Sequence, residues 1–328
     1  MKVVVVGATG HIGTYLVPRL VRAGHDVVAI SRGQRKPYQE DGSWGKVEQV
    51  TSDRDAEDRA GTFGQLVASM MPDAVVDLLC FTPTSARQIA QALSPAGTYL
   101  LHCGTIWVHG PAVEVPLGEE ATRRPFGDYG TQKAEIEQLL LGMAHAGTLP
   151  CTVLHPGHIV GPGWAPVNPA GNFNTSVFER LARGLELALP HFGLETVHHV
   201  HADDVAHAFE RALEAPERAT GEAFHVVSAH ALTLRGYAEQ VAGWFGQQPK
   251  LNFLEWAQWA ELQPPEDAAA TLDHVAHSPS ISTAKISRVL GYDPRYSSLD
   301  AVYESLEWLV ENGRVDTGGA KLSRPGTR

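Results

Sequence analysis

The chain opens with KVVVVGATGHIG (Lys2 to Gly13), and this segment leaves it few possible folds. Val3 to Val6 form a continuous β-branched run without polar alternation, the pattern of a strand buried on both faces of a parallel sheet. Gly7, Gly10 and Gly13 follow at the spacing G-x-x-G-x-x-G, and the residues after them pattern as a helix. One glycine lets the chain reverse tightly, another lets backbone amides approach a pyrophosphate, and the third lets the helix pack on the strand. The positive end of that helix then faces the phosphates. Thr9, His11 and Ile12 share the turn and are expected to meet the dinucleotide with it. The spacing differs from the commoner G-x-G-x-x-G, so the motif meets the generic fingerprint only in part. Its context, a strand before and the strand GHDVVAI after, supplies the rest. Pro18 lies inside the helix and is expected to kink or shorten it, because it removes a backbone bond.

A second signal lies in YGTQKAEIEQLLL, which reads as an amphipathic helix. Tyr129 and Lys133 stand four residues apart, so a phenol and an ammonium share one face about one turn apart. A free tyrosine ionises near pH 10, and a nearby cation lowers that value. Lys133 is placed to be that cation. A proton donor beside a dinucleotide site is the equipment for hydride transfer.

Four further segments extend the pattern. These are YLLHCGTIWVHG, HPGHIVGPG (His155 to Gly163) with HVHADDVA (His199 to Ala206), and STAKISRVLGYDP (Ser282 to Pro294). Together with the glycine turn and the Tyr129/Lys133 pair they resemble the extended branch of the short-chain dehydrogenase/reductase superfamily, from the first strand almost to the tail. The resemblance implies Thr105 as the catalytic hydroxyl, Tyr129 as the acid or base, and Lys133 as its partner and holder of the nicotinamide ribose. It places Pro156 and Gly157 near the nicotinamide carboxamide and Asp53 near the adenine. It also implies a small-molecule substrate and allows a homodimer. The helix between DLLCF and TYLLHCG is short, however, which takes away surface from the family's helix-bundle dimer. No Asn matches the family's relay residue there, so a relay would use another group or water.

Repeated βα units through the first half imply an α/β, Rossmann-type doubly wound parallel sheet, followed by a smaller, mainly helical C-terminal substrate lobe. The expected boundaries are 1–163 for the dinucleotide-binding domain, with about 197–215 returning to it, 164–314 for the substrate lobe and 315–328 for a flexible tail. The tryptophans of the second half, Trp244, Trp256, Trp259 and Trp308, are expected to be packing residues.

The chain of 328 residues carries a formal charge of −11, which argues against a nucleic-acid surface. No apolar stretch approaches a membrane span, and the start is too short and strand-like for a signal peptide. Cys80, Cys103 and Cys151 read as buried small hydrophobes in a reducing compartment, so a cytoplasmic location is expected.

Coenzyme choice is read at the end of the second strand, where an acid would bind the ribose hydroxyls. Ser31 and Arg32 stand there instead, and a hydroxyl with a guanidinium suits a 2′-phosphate. NADP is therefore favoured, with NAD admitted. His198, His199 and His201 with Asp203 and Asp204 offer possible zinc ligands, but the further ligands are missing. The segment fits a strand-to-helix junction at which Asp204 caps the helix, and no metal is expected.

The lead reading is an NAD(P)-dependent oxidoreductase acting on a carbonyl or secondary alcohol of a small or medium polar molecule. Its rivals are a sugar or nucleotide-sugar epimerase with retained coenzyme and a non-catalytic dinucleotide-binding regulator. Ile106 and Trp107 follow Thr105 where the family's dehydratases carry Asp-Glu, so dehydration is not expected. Val197 stands near the position of the epimerases' diphosphate-binding Arg. Arg180, Arg183 and Arg235 remain as substitutes for it.

Overall fold

The computed structural model describes residues 1–324. Its sheet strands are β1 (Lys2–Val6), β2 (Asp26–Ser31), β3 (Glu48–Thr51), β4 (Ala74–Asp77), β5 (Tyr99–Cys103) and β6 (Cys151–Pro156). Then come β7 (His158–Val160), β8 (Glu186–Pro190), β9 (Thr196–Val197), β10 (His199–His201), β11 (Ala223–Val226), β12 (Leu232–Thr233) and β13 (Lys250–Leu254). Seven of these form one parallel sheet in the order β11-β6-β5-β4-β1-β2-β3. The order reverses between β1 and β4, and a crevice outside the strand ends is expected at such a switch point.

The valine run explains why β1 is central. Val3 and Val5 face a core shared with Leu16, Leu20 and Phe209. Val4 and Val6 face the opposite core, with Ile89 and Ile136. The helices α1 (His11–Arg22), α2 (Arg54–Ala60), α3 (Phe63–Ser69), α4 (Pro83–Leu93) and α5 (Gly127–His145) connect the strands. Helix α1 continues past Pro18 to Arg22, so the proline does not shorten it. Leu16, Val17 and Leu20 are fully buried. At about 1.5–3 kcal/mol for each such side chain, their burial outweighs the roughly 3 kcal/mol cost of an interior proline.

After α6 (Ser176–Ala182), helix α7 (Ala202–Glu214) packs back on α1, where Arg19 pairs with Asp203 at 2.8 Å and Glu210 at 3.0 Å. The return to the sheet unit is wider than residues 197–215. After α8 (Pro216–Ala219), β11 joins the sheet edge, and Ile286, Leu290 and Tyr292 enter the same core.

The second core gathers Phe178, Leu189, Tyr237, Trp244, Trp259 and Leu306. Its elements include α6, the parallel β8/β13 pair, α9 (Leu234–Trp244), α10 (Trp256–Glu261), α11 (Pro265–His277) and α13 (Ser298–Glu311). The intervening α12 (Ala284–Leu290) belongs to the sheet unit.

The segment expected to be a flexible tail is docked on this lobe as far as residue 324. Val315 is buried, Asp316 pairs with Arg183, Ser323 N donates to Trp244 O at 2.9 Å, and Arg324 pairs with Asp300 at 2.8 Å. Its anchors are single residues spaced by glycine and polar positions, so no periodicity announces them. Residues 325–328 lie outside the described residues. Among the described residues no helix is long and apolar enough to cross a membrane.

Candidate active site

A cavity of about 380 Å³ opens at the switch point, lined by Gly7, Thr9, Gly10, His11, Ser31, Arg32 and Asp53 among others. Gly7 has φ +86°, and a Cβ there would stand 2.7 Å from Leu79 Cγ. A Cβ on Gly13 would lie 2.2 Å from Ala8 O, so this glycine serves the contact of helix with strand. Ile12 turns its side chain into the core, which leaves only its backbone for a ligand. Pro156 ends β6, Gly157 follows it, and neither lines this cavity.

Arg32 and Arg35 are exposed at the rim, and neither pairs with a carboxylate among the described residues. Asp53 is occupied as the cap of α2, accepting from Asp55 N at 3.0 Å and Ala56 N at 3.3 Å. Beneath it Arg54 is buried against Asp77, Asp58 and Ser85, a role that TSDRD does not announce. At the mouth His11 stacks on Trp164, with centroids 5.0 Å apart and planes 15° apart, and Tyr38 closes the third side. Burial, then His201, pushes His11 down to about 3. An uncharged side chain therefore sits where phosphates would approach.

The second group stands beside Phe81, which also lines the cavity. Thr105 follows β5 and is buried, its Oγ1 accepting from Trp107 N at 3.3 Å. Lys133, also buried, donates from Nζ to Cys103 O at 2.7 Å and Cys80 O at 2.8 Å. It thereby ties the ends of two neighbouring strand connections together. Its ammonium lies 4.9 Å from the Phe81 ring and 6.0 Å from the Tyr129 ring.

The expected acidification of Tyr129 by Lys133 is not met. Tyr129 shows 43% of its surface, yet desolvation, then Cys103, raises the phenol to about 12, with the Thr105 hydroxyl pulling downwards. The reason is visible in Lys133. Two of its three N–H groups are spent on carbonyls, and burial lowers its own affinity for a proton.

Four residues past Lys133, Glu137 continues the same helix face. His155 Nδ1 accepts from Thr105 N at 3.0 Å, so its other nitrogen carries the proton of the neutral ring. That nitrogen lies 3.2 Å from Glu137 Oε1. Arg123 grips Glu137 at 2.5 and 3.1 Å and also reaches the carbonyls of Glu119 and Ala121. Burial alone would raise Glu137, but His155 and Arg123 more than offset it and hold the carboxyl well below its usual range. The backbone of Thr105 is thus anchored by a buried charged network that sequence reasoning missed.

On the other side of Tyr129 an aromatic wall rises from Trp107, whose ring meets the phenol edge-on at 5.9 Å. His277 is sandwiched between Trp107 at 4.2 Å and Phe126 at 4.0 Å. His158 stands 6.4 Å from Trp107 and 4.9 Å from His274. The spacing of His274 and His277 in DHVAH, three apart on α11, is the one sequence signal that could have flagged them.

The histidines considered as zinc ligands separate. His198 Nε2 meets Ser228 O at 2.9 Å, His199 Nε2 meets Val167 O at 3.0 Å, and His201 Nε2 lies 2.9 Å from Glu304. His201, not Asp204, caps α7, accepting from Asp203 N at 3.0 Å. Asp204 instead accepts from the backbone of Arg295 and Tyr296. Elsewhere Asp77, Cys80 and His102 lie within 4.8 Å of one another, but Arg54 already supplies the opposing charge to Asp77.

A glycine-turn cleft whose lining residue Phe81 touches Lys133 of a Thr/Tyr/Lys group suits a dinucleotide-dependent oxidoreductase class. Residues 3–226 match the NAD dependent epimerase/dehydratase family, and the chain belongs to that family as an NAD(P)-dependent enzyme of the extended short-chain dehydrogenase/reductase type. It is 27% identical to 2′-dehydrokanamycin reductase of Streptomyces kanamyceticus, covering 98% of this chain and 88% of the relative. It is 25% identical to UDP-glucose 4-epimerase of Mycolicibacterium smegmatis over 94% of this chain and 98% of that one. The fold is that of UDP-glucose 4-epimerase from Thermotoga maritima solved with UDP-glucose, at TM-score 0.72 and 18% identity, covering 95% of this chain and 99% of that one.

Proposed function

We propose that the chain is an NADP-preferring reductase of a ketone on a small polar, sugar-like molecule. The observation that carries this reading is the junction of the glycine-turn cleft with Thr105, Tyr129 and Lys133 across Phe81. The residues fit a dinucleotide: Gly7 and Gly13 leave no room for a Cβ, and Arg32 and Arg35 are free at the rim. Gly7, Thr9, Gly10 and the amides of α1 would hold the pyrophosphate, Arg32 and Arg35 the 2′-phosphate, and Lys133 the ribose. When bound, the nicotinamide supplies a hydride to the carbonyl carbon and is oxidised by two electrons.

The chain's own residues manage the proton. Thr105 donates a hydrogen bond to the carbonyl oxygen and orients it. Tyr129 gives that oxygen its proton. The raised proton affinity keeps the phenol protonated at neutral pH, the form that donates in the reductive direction. The reductase relative, aligned over nearly the whole chain, supports the same direction. The arginines that could replace a diphosphate clamp are engaged: Arg180 with Glu186 O, Arg183 with Asp316, and Arg235 with Glu239.

The epimerase reading rests on the epimerase relative and uses the same residues. Net loss of reduced-coenzyme absorbance with a ketone substrate supports reduction. Product formed without coenzyme turnover would replace it with epimerisation.

A further inference from the structure

We propose that the wall beside Tyr129, formed by His158 and His277 against Trp107, is a subsite that exchanges hydrogen bonds with the hydroxyls of an unphosphorylated sugar ring. The proposal rests on the reductase reading and names the substrate class for that same cleft. Both ring nitrogens of His158 and Nε2 of His277 are shielded from solvent and have no hydrogen-bond partner among the described residues. Buried polar atoms are nearly always partnered, so three orphans around one surface point to a partner that arrives with the substrate.

Their chemistry selects that partner. His277 Nδ1 lies 2.7 Å from Asp273 O, which places its proton there and leaves Nε2 as an acceptor. His274 Nδ1 meets Ala270 O at 2.7 Å in the same way. Burial lowers His158, His274 and His277 below the ordinary imidazole range, so the wall is uncharged at neutral pH. His277 Nε2 offers an acceptor and neutral His158 one donor and one acceptor, a set that suits hydroxyls, which both donate and accept, and gives a diphosphate no counter-charge. His277 is the middle ring of a stack with Trp107 and Phe126, which covers both of its faces with apolar surface.

The test uses the full-length protein loaded with NADPH. Saturation-transfer NMR is recorded with a panel of methyl hexopyranosides and with UDP-glucose, and turnover is measured with the corresponding keto-glycosides. His277→Phe keeps the stack and His158→Phe keeps a planar ring, while each removes its polar nitrogens. Each is expected to raise KM by about three- to tenfold, the size of one or two hydrogen bonds, with kcat changed by less than about twofold. NADPH affinity is expected to stay within about twofold, on the same scale. His158→Asn, which retains an acceptor, should fall between wild type and the Phe variant.

Unchanged KM in both Phe variants overturns the subsite. So does tighter binding of UDP-glucose than of every glycoside, or no transfer to any glycoside. Glycosides that bind through the two histidines, with no keto form oxidising NADPH, would remove the reductase reading and leave the subsite standing.

Discussion

Replacing Glu137 by Gln should loosen the structure behind Thr105 by a calculable amount. The Glu137 side chain is 6% exposed, that of Arg123 25% and that of His155 0%. Removing one partner of a buried ion pair costs about 3–5 kcal/mol. Glutamine keeps the shape and one acceptor oxygen, and Arg123 retains two carbonyls, so about 2 kcal/mol is expected. For a chain somewhat longer than the 150–250-residue range, where each kcal/mol moves Tm by about 2–4 °C, the drop should be about 4 °C.

The sign with pH follows from the depressed carboxyl. Its stabilisation is fully present above the unfolded value near pH 4.3 and is lost as pH falls towards the much lower folded value. Thermal unfolding followed by circular dichroism at about pH 7 and about pH 4 should therefore show a gap between wild type and variant that narrows in acid. Equal Tm at neutrality, or a gap that widens in acid, would refute the reasoning. Turnover should fall with NADPH affinity unchanged, since the network supports Thr105 and not the dinucleotide cleft.

Arg32→Ala and Arg35→Ala should each weaken NADPH binding by about tenfold or more, the scale of a charge-assisted hydrogen bond, and leave NADH nearly unaffected. Isothermal titration with both coenzymes decides it, and equal losses for the two would defeat the 2′-phosphate assignment. Gly13→Ala forces a Cβ against Ala8 O and should cost about 1–3 kcal/mol in denaturant unfolding together with coenzyme affinity. With the phenol raised to about 12, Tyr129 stays protonated through neutrality. Reductive kcat/KM should then show no basic limb from this group below about pH 9, and a limb near pH 7 that Tyr129→Phe removes would contradict it.

What could be read in the sequence was what is local. Val3 to Val6 announce a doubly covered strand because every position is apolar and β-branched. Gly7 and Gly13 announce the turn because nothing larger fits. Tyr129 and Lys133 announce themselves by helical spacing. The electrostatics did not follow from that spacing, because Lys133 is held by carbonyls from two distant strand ends. Arg54 and Glu137 were illegible for the same reason: Asp77 and Ser85, and Arg123 and His155, stand outside their local sequence windows. The effect of Pro18 on helix length and the docked residues 315–324 were misread because tertiary burial overrode local propensity.

The most direct measurement is a single turnover of prebound NADPH with a keto-glycoside, in wild type and in Tyr129→Phe. The account predicts equal coenzyme affinity and a hydride-transfer rate at least about 10²-fold lower in the variant, the scale of general acid catalysis. A folded variant that oxidises NADPH as fast as wild type would contradict it and leave Tyr129 outside the reaction.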